Sequence, residues 1–217
     1  KLSVDLIYGI PGLSLKQWNE NITIAAGLPV NHISAYHLTY HEGTIFHSWL
    51  KNGKLQELPE EESIAQFERL TEITDKSGFE QYEISNFARN NEISLHNSGY
   101  WLGKMYLGFG PSAHSYNKLS RQWNVSDVDT YISSVCAGKP AYESELLSEK
   151  DKLNDYLITG IRTKWGISLP MVRTLYGEKL FEQVFNSMRG YLKDGTLLLD
   201  GDTILLSPRG MVISDQI

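Results

Sequence analysis

The first third of the sequence alternates apolar runs with amphipathic stretches, and this alternation constrains the fold more than any other feature. Residues 4–8 form an apolar run that ends in a Gly/Pro loop, and Ser14 with Gln17 forms a capping box ahead of residues at helical spacing. A second strand is predicted over residues 32–40 and a second helix over residues 59–77. This order is typical of βα units with a parallel sheet and predicts an α/β fold.

The middle of the chain has a different residue composition. Residues 86–123 are rich in Gly, Asn, Ser and aromatic residues, with one short strand expected at residues 105–109, and they predict a functional loop. A helix capped by Ser126 and Asp129 is expected to follow.

The last part of the chain changes pattern again. Ser148 with Asp151 predicts a helix start, a second short helix is expected from near Ser168 to Gly177, and a third is expected to end at Gly195. Two β runs then flank residues 200–202, Asp-Gly-Asp, a strong hairpin signal. Three helices followed by a hairpin predict a winged-helix-like α+β domain, so we expect two domains, residues 1–140 and 141–217.

Composition excludes several classes of protein. With 41% hydrophobic and 21% charged residues the chain is typical of globular proteins, and it has no run near the roughly 18 apolar residues of a membrane span. A single cysteine, Cys136, excludes a disulfide framework and fits a cytoplasmic protein. The net charge of −6, with equal numbers of basic and acidic residues after residue 147, argues against nucleic-acid binding.

Two glycine-containing segments are candidates for ligand contact. Asp5 lies in the first predicted strand just before a Gly/Pro turn, and ligands of parallel α/β folds bind at that end of the sheet. Gly108 and Gly110, followed by His114, have a spacing that lets a backbone approach a ligand closely. Each has a structural alternative, since Asp5 could pair with a neighbour and the glycines could form a turn after a buried strand.

The segment His96-Asn97-Ser98-Gly99-Tyr100-Trp101 suggests a heme site. A neutral imidazole such as that of His96 is an axial ligand of heme iron, and the flat faces of Tyr100 and Trp101 suit a porphyrin plane. The structural alternative is an aromatic core plug with His96 bonded to a backbone carbonyl.

Taken in order, these motifs resemble one family. The segments at residues 5–12, 32–39, 82–88, 96–101 and 108–115 together resemble the oxygen-independent coproporphyrinogen oxidase family of radical S-adenosylmethionine proteins. The Tyr-Glu-Ile-Ser-Asn-Phe-Ala and His-Asn-x-x-Tyr-Trp forms are similar to its heme-chaperone (HemW-type) branch. The resemblance implies the C-terminal part of a (β/α)6 partial barrel, like an incomplete TIM barrel, entered at about its fifth strand and followed by the winged-helix-like domain.

The resemblance also implies ligands and residue roles. Family members hold a [4Fe-4S] cluster and S-adenosylmethionine, for which Asp5, Tyr36 and His114 match contact positions, while His96, Tyr100 and Trp101 match the heme site. The Cys-x-x-x-Cys-x-x-Cys cluster motif is absent from this sequence, so we expect a fragment without radical activity of its own.

Three functions remain open at this point. The first is a heme chaperone that passes heme to a membrane or storage hemoprotein, with a homodimer as one possible state. The second is a coproporphyrinogen III oxidase that decarboxylates its substrate to protoporphyrinogen IX. The third, from a different class, is a winged-helix nucleic-acid binder, which the charge balance disfavours.

Overall fold

The computed structural model describes residues 2–214 and residue 217. In chain order its elements are β1 (Ser3–Tyr8), α1 (Leu15–Gly27), β2 (His32–His37), α2 (Ile45–Lys51), α3 (Glu60–Lys76), β3 (Glu80–Glu83), β4 (Asn86–Ala88), α4 (Leu95–Trp101), β5 (His114–Tyr116), β6 (Ser120–Asn124), α5 (Val128–Cys136), β7 (Tyr142–Leu146), α6 (Glu149–Ile161), β8 (Ile167–Ser168), α7 (Leu169–Lys193), β9 (Leu197–Asp200), β10 (Thr203–Leu206) and α8 (Pro208–Val212). Among the described residues, no helix is both long and apolar enough to cross a bilayer.

The chain divides into two compact units at a place the sequence did not predict. One unit contains the described residues up to Ser94 and those from Pro208 onward, and the other is Leu95–Ser207. The expected boundary after residue 140 falls inside the second unit. The reason is that β7, which begins just beyond that position, pairs with β6, which precedes α5, in one antiparallel sheet of order β5-β6-β7.

The first unit contains a four-stranded sheet of order β1-β2-β4-β3. β1 and β2 are parallel and joined through α1, as the βα pattern predicted, whereas β4 runs antiparallel to both β2 and β3. β4 lies in the stretch that was expected to be loop. Its three residues are too few to produce a hydrophobic period, and pairing on both sides, rather than local preference, makes them a strand.

One face of this sheet is buried under α1 and α3. In β1, Leu6 and Tyr8 point towards those helices, while Asp5 and Ile7 on the opposite face are exposed. The alternation follows from the two-residue period of a strand. The buried side forms the main hydrophobic core of the unit, whose members include Trp18, Ile22, Ala25, Val30, Ile33, Ala35, Phe67, Leu70, Phe79 and Phe87.

A buried glutamine ties the first loop to this core. The Gln66 side chain on α3 donates from Nε2 to the carbonyl oxygen of Leu13 (2.9 Å) and accepts from the backbone N–H of Gly9 (2.8 Å). Its backbone carbonyl accepts from Nε1 of Trp18 (2.8 Å). These hydrogen bonds fix the loop that follows the carboxyl end of β1, the strand that carries Asp5.

A second polar connection crosses three strands. His32 on β2 is buried, with Nδ1 2.8 Å from Oγ of Ser3 and Nε2 2.8 Å from the hydroxyl of Tyr82, and that hydroxyl accepts from the N–H of Ser94 (3.3 Å). Burial lowers the pKa of His32, an effect that the nearby Asp5 carboxylate partly opposes. Burial also raises the pKa of Tyr82 to about 12. A neutral imidazole has one donor and one acceptor nitrogen, so His32 donates one of these two hydrogen bonds and accepts the other.

Most of the helix caps and the hairpin that the sequence predicted are present in the structure. The capping boxes Ser14/Gln17 and Ser148/Asp151 are present, and β9 and β10 form a hairpin around residues 200–202. One prediction was wrong: α5 is capped by Asp127, not by Ser126 and Asp129, because the Asp127 carboxylate reaches the N–H of Thr130 (2.8 Å).

The stretch predicted as a loop, residues 86–123, begins in the first unit and continues into the second. The stretch contains β4, α4, β5 and most of β6. The expected strand at residues 105–109 reduces to an isolated bridge between Tyr106 and Tyr116. Further along, α6, α7 and the sheet β8-β10-β9 follow in the predicted order, and α7 is interrupted at Gly177 (φ 80°), where the helix was expected to stop.

Replacing Gln66 with Leu should destabilise the first unit. The change leaves the N–H of Gly9 and the carbonyl of Leu13 without partners, so we expect the free energy of unfolding to fall by about 1–3 kcal/mol. Urea denaturation followed by circular dichroism measures the change. Glu68→Gln, an exposed position on the same helix, is the matched control and should change stability by less than about 0.5 kcal/mol. Equal stability of the Gln66→Leu variant and the parent would contradict this role.

The His32 network predicts a dependence of stability on pH. The folded-state pKa of His32 lies below its ordinary value of 6.5, so the unfolded chain takes up a proton first as the pH falls. The His32 contribution is therefore fully present above pH 6.5 and declines as the pH is lowered towards the folded-state pKa. Urea midpoints at pH 7.5, 6.5 and 5.5 test this, with His32→Phe expected to fall less steeply than the parent and His41→Gln to match it. A parent protein that gains stability on acidification would refute the prediction.

Candidate functional site

The open face of the first sheet brings two predicted ligand residues together. In the parallel register, Asp5 pairs with Ser34 and Ile7 pairs with Tyr36, so Asp5 and Tyr36 lie on the same face. Both side chains are exposed, and Tyr36 lies nearer the carboxyl ends of the strands. Such a face, with an acidic acceptor beside an aromatic ring, suits a ligand that carries hydroxyl or amino groups and a flat base.

Sequence reasoning missed three buried polar residues on this face. Ser34 pairs with Asn86 across β2 and β4, and Asn86 pairs with Glu83 across β4 and β3. The Glu83 carboxylate accepts from Nδ2 of Asn86 and from the N–H of Ser85 (3.1 Å). The signal was available in the Tyr-Glu-Ile-Ser-Asn-Phe-Ala motif, but the strand that aligns these side chains was not predicted.

The predicted heme residues lie on a helix, not in a loop. His96 and Tyr100 are four residues apart on α4, and their rings meet edge to face with centroids 5.0 Å apart. His96 is exposed, and its imidazole makes no hydrogen bond within the part of the chain that the structure describes. Its nitrogens are therefore available to a metal, as a heme ligand requires.

Tyrosines extend this aromatic contact. The Tyr100 ring lies 4.7 Å from that of Tyr106, which in turn lies 5.9 Å from that of Tyr116. Tyr106 and Tyr116 also exchange two backbone hydrogen bonds (3.0 and 2.9 Å). The turn after α4 is thus held against the helix, and burial raises the pKa of Tyr106, which keeps its hydroxyl neutral.

Trp101 does not share the face of His96 and Tyr100. Five residues along an α-helix correspond to a rotation of about 140°, so its ring points elsewhere. The Arg162 guanidinium lies 5.8 Å from the Trp101 ring centroid, and Nε1 is buried without a hydrogen-bond partner among the described residues. A heme contact by Trp101 stays a prediction.

The Gly-x-Gly loop is held by contacts within its own unit. Gly108 donates to Oγ of Ser115 (3.0 Å), and a side chain at Gly108 would collide with the backbone of His114. Gly110 donates to the hydroxyl of Tyr131 (3.0 Å), and its carbonyl accepts from Nδ2 of Asn124 (2.9 Å). These contacts explain the glycine at 108 by packing, in line with the structural alternative.

His114 lies on β5, exposed, with its ring 6.0 Å from that of Trp123. It belongs to the second unit, whereas Asp5 and Tyr36 belong to the first. Its contact with S-adenosylmethionine therefore stays a prediction.

Several large apolar side chains near α4 are exposed to solvent. Leu95 begins the helix, and Met105, Leu107 and Phe109 follow it, with Phe109 82% exposed. Exposed apolar side chains concentrated in one segment mark binding surfaces more often than ordinary surface. Together with His96 and Tyr100, the segment offers an iron ligand and apolar contacts to a large flat molecule.

Comparison with known proteins agrees with these features. Residues 147–213 match the family described as the HemN C-terminal domain. The chain is 29% identical over 218 residues to the heme chaperone HemW of Bacillus subtilis (strain 168), covering 100% of this chain and 57% of that protein. It is 31% identical over 229 residues to the mitochondrial radical S-adenosyl methionine domain-containing protein 1 of Danio rerio, covering 100% of this chain and 52% of that protein.

A solved structure shows a similar fold. Coproporphyrinogen III oxidase (HemN) from Escherichia coli, described as a radical SAM enzyme, matches with a TM-score of 0.76 at 17% identity, over 97% of this chain and 52% of that one. The chain thus has the mixed α/β fold of HemN and spans about half the length of the proteins it matches. Residues 147–213 thus match the HemN C-terminal domain, and the chain as a whole is similar to HemW-type proteins and has the fold of HemN.

Proposed function

We propose that this protein is a heme chaperone, which binds heme through His96 and passes it to acceptor hemoproteins. The observation that carries the proposal is the exposed His96 imidazole, free of hydrogen bonds within the described residues and one helical turn from Tyr100. Relatives named heme chaperone HemW, which align along the whole of this chain, support the same function.

Each group has a chemical role in this proposal. A neutral His96 nitrogen donates its lone pair to the heme iron, and the Tyr100 ring, packed edge-on, limits rotation of the imidazole. Exposed side chains such as Met105 and Phe109 supply apolar contact to the porphyrin. An exposed iron ligand such as His96 suits a heme carrier, because an acceptor protein must reach the bound heme to remove it.

S-adenosylmethionine is the second ligand of the proposal. Asp5 would accept hydrogen bonds from its polar groups, and Tyr36 would lie along its adenine, both from the open sheet face. When bound beside a [4Fe-4S] cluster, this cofactor supplies radical chemistry. The residues of this chain do not fit the cluster, because such clusters are held by several cysteine thiolates and the sequence has only Cys136.

We also infer the finer architecture from the family. The sheet of the first unit is taken as part of a partial (β/α)6 barrel, whose interior would face Asp5 and Tyr36. Residues 141–217 are taken as a winged-helix-like domain, supported by the order α6, β8, α7, β9, β10 and by the interruption of α7 at Gly177. With a balanced charge, that domain serves as a packing module without nucleic-acid binding.

The proposal extends to the setting of the protein. A cytoplasmic chaperone would receive heme and deliver it to a membrane or storage hemoprotein, and a homodimer is one arrangement in which it could do so. Cys136 as the only cysteine supports a reducing compartment.

Substituting His96 tests heme binding directly. In a spectrophotometric titration of the full-length protein, His96→Ala should lose the Soret band of the bound state and weaken hemin binding at least tenfold, roughly 1.4 kcal/mol. His41→Ala, an exposed loop histidine, is the control and should bind like the parent. An unchanged affinity of the His96→Ala variant for hemin would show that His96 is not the heme ligand.

An anaerobic assay distinguishes the chaperone from the oxidase. The cluster-loaded full-length protein should leave coproporphyrinogen III unchanged under conditions in which it binds hemin. Formation of vinyl product would favour the decarboxylating enzyme.

A further inference from the structure

A lysine lies on the helix that carries the proposed heme ligand. Lys104 follows α4 in a turn, where its N–H donates to the carbonyl of Gly99 (2.9 Å). Its side chain folds back over the helix, since Cδ lies 3.9 Å from the point where a Cβ of Gly99 would be. That distance is an ordinary van der Waals contact, so the lysine stem lies against the helix at Gly99.

Gly99, which the lysine stem contacts, is close to His96 on the surface of α4. Residues three apart in an α-helix are neighbours on one surface, and Gly99 lies about 4.5 Å further along the axis than His96. The Lys104 stem therefore lies against a helix position that neighbours His96, and its ammonium is two bonds beyond Cδ.

The charge of Lys104 has no partner within the described residues. The side chain is exposed and takes part in none of their ion pairs. Arg121 in the same unit differs, because its guanidinium already binds the carboxylates of Asp155 and Glu145. A free ammonium beside exposed apolar side chains suits a ligand that is apolar on its faces and anionic at one edge.

We propose that the Lys104 ammonium pairs with a propionate carboxylate of the heme whose iron is bound by His96. This inference rests on the proposed heme-binding function. Heme carries its two carboxylates at one edge of the ring, and in this proposal the porphyrin is oriented with that edge towards the cation next to the iron ligand. The pair also sets the orientation of the porphyrin and favours porphyrins with free carboxylates over esterified ones.

Titration with two porphyrins distinguishes the contribution of the Lys104 ion pair from that of iron ligation. The full-length parent and Lys104→Gln are titrated with hemin and with hemin dimethyl ester in the same detergent buffer, and binding is followed by the Soret band. We expect Lys104→Gln to bind hemin about fivefold more weakly, as for loss of an exposed ion pair, and to bind the ester as the parent does. Lys104→Arg should retain the parent's affinity for hemin.

Control variants show whether a negative result contradicts the role of Lys104 or the heme function as a whole. Lys118→Gln, another exposed lysine of the same unit, should bind both porphyrins like the parent. Equal hemin affinity of Lys104→Gln and the parent, or an equal loss for both porphyrins, would overturn the role of Lys104. If His96→Ala weakens hemin binding in that same experiment, the heme function stands although this inference fails. If His96→Ala binds like the parent, the heme function itself fails.

Discussion

The parallel pairing of β1 with β2 aligns alternate side chains of two strands on each face of a sheet, and the chemistry of the first unit depends on it. One face is taken up by α1 and α3, so Asp5 and Tyr36 are left on the other. The buried Gln66 and the His32 network hold the ends of these strands in place. The open face is polar because Ser34 and Asn86 are matched across neighbouring strands.

The second unit places its chemistry on a helix of seven residues. α4 puts His96 and Tyr100 one turn apart, and the turn that follows brings Tyr106 against Tyr100. Rigid neighbours of this kind fix the orientation of an exposed imidazole without covering it. In the proposed heme carrier, such an imidazole would be held in position and would still be accessible to an acceptor protein.

Elements whose stabilising contacts are local could be predicted from sequence. The capping box at Ser14 and Gln17 joins residues three apart, and the hairpin around Gly201 depends on its turn residues. β4 could not be predicted, because its three residues become a strand only through partners elsewhere in the chain. The division into compact units also depends on long-range pairing, since the pairing of β6 with β7 crosses the position where composition changes.

The sequence by itself determined the α/β class, the ends of several helices and the motifs that relate this chain to the HemN and HemW proteins, because these depend on residue type and short spacing. Tertiary structure decided which motif residues act together. It placed Asp5 beside Tyr36, separated Trp101 from His96, and brought Lys104 back over Gly99. Strand register and helical rotation set such relations, and both are settled by packing between segments that are distant in the chain.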